Sequence, residues 1–332
     1  MRGRSATAAA VVVTSLLVSL VIAEGGLRLL GRRSWQPIDG GSKETVLHEP
    51  DGTLGWVNKP GHYLLPPHLP GGPDREVTVL GDHSRSTGTS SAPDVERVDL
   101  VGCSVTNGYG LSDADTFGWK LQQNHPELRF VNFGTAAYGT YQSMLRMEKI
   151  LSRKPPPRLI LYGFITQHEA RNVATYDWLR GLALNAGRGH VAPPYVTLGA
   201  GDWLERHAPE SFAIWPLADR LVLVRMADDA YMHFATRSRA SQGAEATKRL
   251  IGEMARKARE HSVAFAVVFL LSQDGRHEEY VEDFERNDIR YVDCVRPLDE
   301  KSRIPGEGHP NGALNTAWAE CISEKLPDLV RR

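Results

Sequence analysis

The sequence predicts an α/β domain in which five parallel strands form one sheet between two layers of helices. Short apolar runs recur along the chain and are separated by polar segments with helical spacing, a pattern typical of buried parallel strands. These runs are Val98–Val101, Leu128–Phe133, Leu159–Phe164, Val263–Leu271 and Tyr291–Val295. Five such strands with helices between them indicate a flavodoxin-like three-layer sandwich with right-handed crossovers.

The segments between the strands carry apolar residues on one helical face. Thr247–Glu260 shows this spacing clearly, and its apolar residues are Leu250, Ile251, Met254, Ala255 and Ala258. The other predicted helices are Asp115–Gln123, Tyr141–Leu151 and Leu314–Ile322.

The N-terminus predicts a membrane segment. Arg2 and Arg4 precede an uncharged run, Ser5–Ala23, which nearly reaches the roughly 20 residues that cross a bilayer. The leading arginines favour a cytoplasmic N-terminus, so the rest of the chain would lie outside the cytoplasm. We favour a single-pass signal-anchor over residues 1–33, and a cleaved signal peptide with a secreted product is the alternative.

Two further regions do not fit the alternation of strands and helices. Residues 34–96 are rich in Gly, Pro and Ser and predict a linker with a small extended element that packs on the main domain, 97–332. Residues from about 173 to 241 form an aromatic-rich insertion. Such an insertion is either a lid or substrate wall at the catalytic edge or a segment whose aromatic side chains pack it onto the domain.

Composition limits the partners. The net charge is −1, so no basic field favours nucleic acid. No Cys and His spacing indicates zinc, and no glycine fingerprint indicates a nucleotide, so we expect neither metal nor cofactor. Of the three cysteines, Cys294 and Cys321 could form a disulfide outside the cytoplasm or remain two buried thiols.

The stretch Val98–Gly110, VDLVGCSVTNGYG, predicts a strand, a tight turn and a helix. Ser104 lies in this turn, at the sheet edge where backbone N–H groups point at an incoming anion. A serine hydroxyl needs a neighbouring base to become a nucleophile. The chain offers His309, within Glu307–Asn311, because an imidazole titrates near neutral pH.

These two blocks resemble those of the SGNH, or GDSL-type, esterase and lipase superfamily. The family's first block reads Gly, Asp, Ser and a later Gly, and its last block has an acid shortly before a His. Here Cys103 replaces the first Asp and Glu307 replaces the last one. The resemblance runs from about residue 97 to the C-terminus and implies Ser104 as nucleophile, His309 as base and Glu307 as the orienting acid, with Asp299 as the next candidate. Cys103 is expected to pack behind the turn.

The resemblance also implies an oxyanion hole. The Ser104 N–H should be one donor. The second family block is matched by residues 132–142, where Ala137 occupies the usual glycine position and Gly139 is the alternative. An alanine N–H serves there provided that the backbone does not need a positive φ.

The third block normally supplies an Asn after a strand. No Gly, x, Asn, Asp pattern follows Leu159–Phe164, and we prefer Gln167 to Asn172 as the amide donor because Gln167 is nearer the strand end. His168 and Glu169 could also face the site.

The resulting expectation is an exported, membrane-anchored serine esterase that hydrolyses carbohydrate O-acetyl or lipid acyl esters through an acyl-serine intermediate. An O-acyltransferase that uses the same intermediate is one alternative. The other is a catalytically inactive SGNH-like domain that binds an envelope glycan or another partner.

Overall fold

The protein is described by a computed structural model that covers residues 2–36, 47–88, 95–186, 190–201, 203–273 and 275–331. The strands are β1 (His48–Asp51), β2 (Gly55–Asn58), β3 (Gly61–Leu65), β4 (Arg75–Val79), β5 (Glu96–Gly102), β6 (Leu128–Asn132), β7 (Leu159–Ile165), β8 (His190–Val191), β9 (Tyr195–Leu198), β10 (Leu204–His207), β11 (Phe212–Ala213), β12 (Ala264–Leu271) and β13 (Tyr291–Asp293). The helices are α1 (Arg2–Leu29), α2 (Ser104–Asn107), α3 (Phe117–Asn124), α4 (Thr140–Leu151), α5 (His168–Asn172), α6 (Tyr176–Ala186), α7 (Val222–Ala240), α8 (Gly243–Glu260), α9 (His277–Arg286) and α10 (Gly312–Val330).

The central sheet confirms the predicted fold class. Its five strands lie in the order β13-β12-β7-β5-β6, and every neighbouring pair is parallel. This is the flavodoxin-like order, in which the chain reverses direction across the sheet between β5 and β7. Gly102 of β5 is paired with Gly163 of β7, so both strands end at the edge where α2 begins.

Helices cover both faces of the sheet because each carries an apolar stripe. On α8 the predicted face, including Leu250, Ile251 and Met254, is fully buried, and this helix packs against α4 and β12. The helices α3 and α10 pack against each other and against β6 and β12 respectively. Thr116 begins α3 by accepting a hydrogen bond from the Trp119 N–H, 3.2 Å long.

The segment before the sheet folds into two hairpins, β1–β2 and β3–β4. The Trp56 indole donates to the Ala136 carbonyl (2.9 Å), and the Asn58 amide donates to the Gly134 carbonyl (3.0 Å). The Arg85 N–H donates to the carbonyl of Asn132 at the end of β6 (2.7 Å). The described part of this segment therefore packs on the sheet domain. Residues 37–46 and 89–94 of the predicted linker lie outside the described residues.

The insertion contains α6, the short strands β8 to β11, and α7. Its β9–β10 hairpin contacts α4 and α8, where Arg206 pairs with Glu148 (3.0 Å) and Glu253 (3.5 Å). Tyr195 stacks on His207 within the hairpin, with ring centroids 4.4 Å apart. These contacts favour the packing alternative for the hairpin, and a lid role for the insertion stays a prediction.

Cys294 and Cys321 form a disulfide with a Cα–Cα distance of 6.0 Å, and Cys103 is a buried free thiol. A disulfide is typical of proteins outside the reducing cytoplasm. The helical stretch Thr7–Leu29 is long and apolar enough to cross a membrane and is not buried by the rest of the protein. That property is shared by signal-anchors and signal peptides.

Candidate active site

The strand–turn–helix predicted around Ser104 is present, and it depends on a close backbone approach. Gly102, the last residue of β5, has φ +157, and a Cβ there would lie 2.1 Å from Thr106 Oγ1. Only glycine allows α2 to begin so soon after the strand. Ser104 is the first residue of α2 and is 6% exposed. Its N–H belongs to the first turn, where a helix has no intrahelical acceptor for its N–H groups.

Ser104, His309 and Glu307 lie together in one hydrogen-bonded chain. The Nε2 atom of His309 is 3.0 Å from Ser104 Oγ. The Nδ1 atom of His309 is 2.5 Å from Glu307 Oε1, and the His309 backbone N–H donates to Glu307 Oε2 over 2.8 Å. The structure thus brings together the three residues that the sequence proposed as nucleophile, base and acid, although 205 positions separate the serine from the histidine.

A tight turn places Glu307 against the histidine only two residues later. Gly308 has φ +97, a left-handed conformation that favours glycine. The turn is closed by the Ile304 N–H, which donates to the His309 carbonyl over 2.7 Å. The carboxylate consequently contacts both the ring and the backbone of His309, so the extra methylene of Glu relative to Asp is accommodated by the turn.

The environment keeps Glu307 ionised. Burial alone would raise its pKa, but the hydrogen bonds from His309 and the favourable electrostatic interaction with its ring outweigh burial and hold the pKa of this carboxyl below its ordinary value, with a smaller contribution from His68. A carboxylate at Nδ1 selects the tautomer that carries its proton on Nδ1. The lone pair of Nε2 then faces the Ser104 hydroxyl, as a general base requires.

Arg85 holds the loop that follows Ser104, a role the sequence did not suggest. This arginine is 1% exposed, and its guanidinium donates to the carbonyls of Asn107 (3.1 Å), Gly108 (2.6 Å) and Leu111 (2.5 Å). Its Nε is 3.0 Å from Asp113 Oδ1. A lone arginine in a polar segment carries no sequence signal for such a position.

The loop between β3 and β4 lies beside Glu307, a position that the sequence did not indicate. His68 Nε2 is 2.9 Å from the Gly110 carbonyl oxygen. A Cβ on Gly110 would lie 3.2 Å from Glu307 Oε2 and 3.3 Å from His68 Nε2, so these groups surround the same point. The Tyr109 ring lies 4.8 Å from the His309 ring, measured between centroids.

Residues 132–142, which match the second family block, are joined to the turn around Ser104 by two amide side chains. Asn132 Nδ2 donates to the Thr106 carbonyl and Asn107 Nδ2 donates to the Gly134 carbonyl, each over 2.8 Å. Further along this loop, Ala137 has φ +63. The sequence-based expectation of an alanine donor required that this backbone have no positive φ, and that requirement fails. The conformation is strained, because it costs an L-residue roughly 1–2 kcal/mol.

Gly139 is placed against the third block. It precedes α4, its N–H is 3.4 Å from Gln142 Oε1, and a Cβ on it would lie 2.5 Å from Asn172 Oδ1. Asn172 itself is fully engaged: it accepts from the Tyr141 N–H and donates to two threonine hydroxyls. Gln167 follows β7, and its buried Oε1 has no hydrogen-bond partner among the described residues.

Two other candidates near β7 have partners of their own. His168 Nδ1 is 2.6 Å from the Tyr162 hydroxyl, and complete burial lowers the pKa of His168 well below its ordinary value. Glu169, whose side chain is partly exposed, pairs with Arg276 at 2.7 Å. His168 therefore belongs to the core, and Glu169 to an ion pair at its edge.

Asp299, the second candidate for the acid, accepts hydrogen bonds from the Lys301 and Ser302 N–H groups, each 3.0 Å long. It therefore shapes its own loop, while Glu307 occupies the Nδ1 side of His309. Within the described parts of the chain, no group of three or more His, Cys, Asp or Glu side chains could hold a metal ion.

The chain has structural likeness to esterases but no close sequence match. No protein-family model matches it, and no curated protein matches its sequence. A member of the lipolytic G-D-S-L family from Veillonella parvula is 12% identical, with 70% of this chain and 99% of that chain covered and a TM-score of 0.42.

Two further solved structures are also similar. The esterase EstA from a Pseudoalteromonas species is 9% identical over 70% of this chain and 97% of its own, with a TM-score of 0.40. An acetylxylan esterase from Geobacillus stearothermophilus is 10% identical over 73% of this chain and 98% of its own, with a TM-score of 0.41. At these identities and scores the likeness carries no information on substrate.

Proposed function

We propose that this chain is a serine esterase of SGNH type that uses Ser104 as nucleophile, His309 as base and Glu307 as orienting acid. The observation that carries the proposal is the hydrogen-bonded chain from Glu307 through His309 to Ser104, at the carboxyl end of β5. A serine, a histidine and a carboxylate in this order are the parts of a triad, which is recognised by geometry and not by position in the sequence.

The chemistry follows from this geometry. As Ser104 Oγ attacks the ester carbonyl, His309 Nε2 takes the hydroxyl proton, and Glu307 stabilises the imidazolium that forms. When the carbon–oxygen bond to the alcohol breaks, His309 gives the proton to the leaving oxygen, and an acyl-serine remains. Water then attacks the acyl group with His309 again as base, which releases the acid and restores the serine.

The charge on the tetrahedral intermediate needs N–H donors. The Ser104 N–H at the start of α2 is one such donor. The Ala137 N–H is our choice for the second despite the strained positive φ of Ala137, because the alternative, the Gly139 N–H, faces Gln142. Gln167 is the third, through its side-chain amide. Each correctly aimed donor is worth about 2.7–4 kcal/mol in the transition state.

The substrate we propose is a carbohydrate O-acetyl or lipid acyl ester outside the cytoplasm. The disulfide between Cys294 and Cys321 supports an oxidising location, and the apolar helix Thr7–Leu29 supports attachment to the cell membrane as a signal-anchor.

Hydrolysis of p-nitrophenyl acetate and p-nitrophenyl octanoate by the full chain in detergent tests the proposal. Ser104→Ala and His309→Ala should each lower kcat by more than about 10³-fold. The matched controls Ser238→Ala and His62→Ala change exposed residues on α7 and β3 and should leave kcat unchanged. Hydrolysis that survives in Ser104→Ala would refute the serine mechanism, and its absence in the parent would refute the esterase.

A further inference from the structure

Exposed apolar side chains are concentrated where the insertion meets the N-terminal helix. Five of them form what we call the α1–α7 patch: Trp215, Leu217, Leu221, Met226 and Tyr231, which are 37–54% exposed. The Trp215 and Tyr231 rings contact each other, with centroids 5.5 Å apart. Several large apolar residues exposed within one short stretch of the chain, two of them in contact, indicate an interaction surface.

The patch is fixed to the end of the apolar helix by hydrogen bonds. The Glu24 carboxylate on α1 accepts from the N–H groups of Val222 and Leu223, each over 3.0 Å. It thereby satisfies two of the free N–H groups at the N-terminus of α7 and lies at the positive end of that helix's dipole. The patch residue Leu221 directly precedes Val222, so it lies beside this junction.

Three more contacts join the end of α1 and the residues after it to the same part of the insertion. The Arg28 guanidinium donates to the Arg220 carbonyl, and the Trp35 N–H donates to the Ala218 carbonyl over 2.7 Å. The Arg225 guanidinium also donates to the Arg33 carbonyl over 3.1 Å, so the end of α1 and the residues after it contact the chain on both sides of the start of α7. The chain from Ala218 to Val222 consequently approaches the apolar span, and the start of α7 is level with Glu24, inside the stretch Thr7–Leu29.

The charges around the patch match a phospholipid surface. Arg32, Arg33 and Arg220 are exposed near the junction, and Asp219 is an exposed carboxylate among them. Arg28 is paired with Glu24 at 2.7 Å. The nearby Asp229 is already paired with Arg225 at 2.9 Å. Tryptophan and tyrosine favour the headgroup level of a bilayer, and each basic residue close to an anionic surface adds attraction of about 1 kcal/mol.

We propose that the α1–α7 patch lies in the headgroup region of the bilayer that α1 enters, so that the insertion is a membrane-contacting element. The proposal rests on the membrane-anchor part of the proposed function, and it is independent of the esterase chemistry. Its consequence is that the sheet domain, with Ser104, is held in a fixed orientation at the membrane surface instead of moving freely on a linker.

Lipid quenching of a site-specific fluorophore tests this inference. The full chain is reconstituted into vesicles of phosphatidylcholine and phosphatidylglycerol after a nitrobenzoxadiazole label is attached at Leu217→Cys or Leu221→Cys. The vesicles contain no quencher, a lipid with a nitroxide on its headgroup, or a lipid with a nitroxide on its acyl chain. Leu64→Cys is the matched control, because Leu64 is also apolar and exposed but lies on β3. Leu16→Cys reports on α1 itself, and the unsubstituted chain gives the background labelling.

The inference predicts loss of fluorescence at Leu217 and Leu221 with the headgroup nitroxide, loss at Leu16 with the acyl-chain nitroxide, and no loss at Leu64 with either. If the label at Leu16 is quenched but the labels at Leu217 and Leu221 are quenched no more than the one at Leu64, the inference is overturned and the membrane anchor stands. A blue-shifted but unquenched label would mean that a protein surface, such as a second copy, covers the patch, and would also overturn it. No quenching at Leu16 would refute the anchor itself, whatever the esterase assay gives.

Discussion

The side chain of Arg85 is buried with its Nε 3.0 Å from Asp113 Oδ1, and the same guanidinium holds three carbonyls of the loop after Ser104. The pair joins the N-terminal segment to the loop that carries the nucleophile turn. Because Arg85 is fully buried and the Asp113 side chain is only 10% exposed, each charge depends largely on the other for its stability.

Arg85→Met is expected to lower the free energy of unfolding by about 3–5 kcal/mol, since it leaves Asp113 charged and without its partner in the interior. The control Arg206→Met removes an arginine whose side chain is 37% exposed and ion-paired on the surface, and should cost at most about 1 kcal/mol. Urea unfolding of both variants measures the difference. Equal losses would mean that the buried pair contributes no more than a surface one.

Ala137→Gly should stabilise the protein. Because Ala137 has φ +63, replacement by glycine relieves strain of roughly 1 kcal/mol while the N–H remains available. We expect a higher Tm and undiminished esterase activity, whereas Ala136→Gly, one residue earlier, should not raise the Tm. A lower Tm in Ala137→Gly would contradict the strain assigned to this residue.

Glu307→Gln should lower kcat by a factor of about 10²–10⁴, because an amide neither fixes the tautomer of His309 nor stabilises the imidazolium. Asp299→Asn should leave kcat near that of the parent, since Asp299 bonds only within its own loop among the contacts described. Steady-state kinetics on a p-nitrophenyl ester distinguish the two. A larger loss of kcat in Asp299→Asn than in Glu307→Gln would show that Asp299, and not Glu307, is the orienting acid.

The buried Asp99 on β5 should make stability depend on pH. Burial raises the pKa of Asp99 to about 7 despite Arg97, whose Nε is 2.9 Å from its Oδ1. From about pH 4 to pH 7 the unfolded chain has released this proton and the native protein still holds it, so stability falls as pH rises. Each pH unit in this range costs about 1.4 kcal/mol at most.

The matched variant Asp99→Asn should lack this contribution. Its free energy of unfolding should therefore decline less than that of the parent between pH 4 and pH 7, and the two curves should run parallel above pH 7. Parallel curves over the whole range would show that Asp99 titrates normally in the folded protein.

The sequence predicted the sheet well because its inner strands β5, β7 and β12 are buried on both faces over most of their length and read as apolar runs. Element ends were predicted less well. The last helix was expected to end at Ile322 but continues to Val330 with Pro327 inside it, because packing of Leu326 and Leu329 in the core outweighs the local cost of proline.

Some residues of the site could be predicted from the sequence and others could not. Ser104, His309 and Glu307 could be proposed because each belongs to a short motif with its own local geometry. Arg85 and His68 could not, because they lie in a polar segment and reach the site only through contacts across the fold. Gly102 and Gly308 can be read in the sequence, but the sequence does not explain why glycine is needed there. The structure shows a close backbone approach at Gly102 and a positive φ at Gly308.

The central claim is that Ser104 forms a covalent acyl intermediate, and labelling by a fluorophosphonate followed by peptide mass spectrometry tests it most directly. We predict one phosphonyl group on Ser104 in the parent chain, none in Ser104→Ala, and greatly slowed labelling in His309→Ala, because the hydroxyl then has no base. Unlabelled Ser104 in the parent, or a label on another residue, would contradict the account.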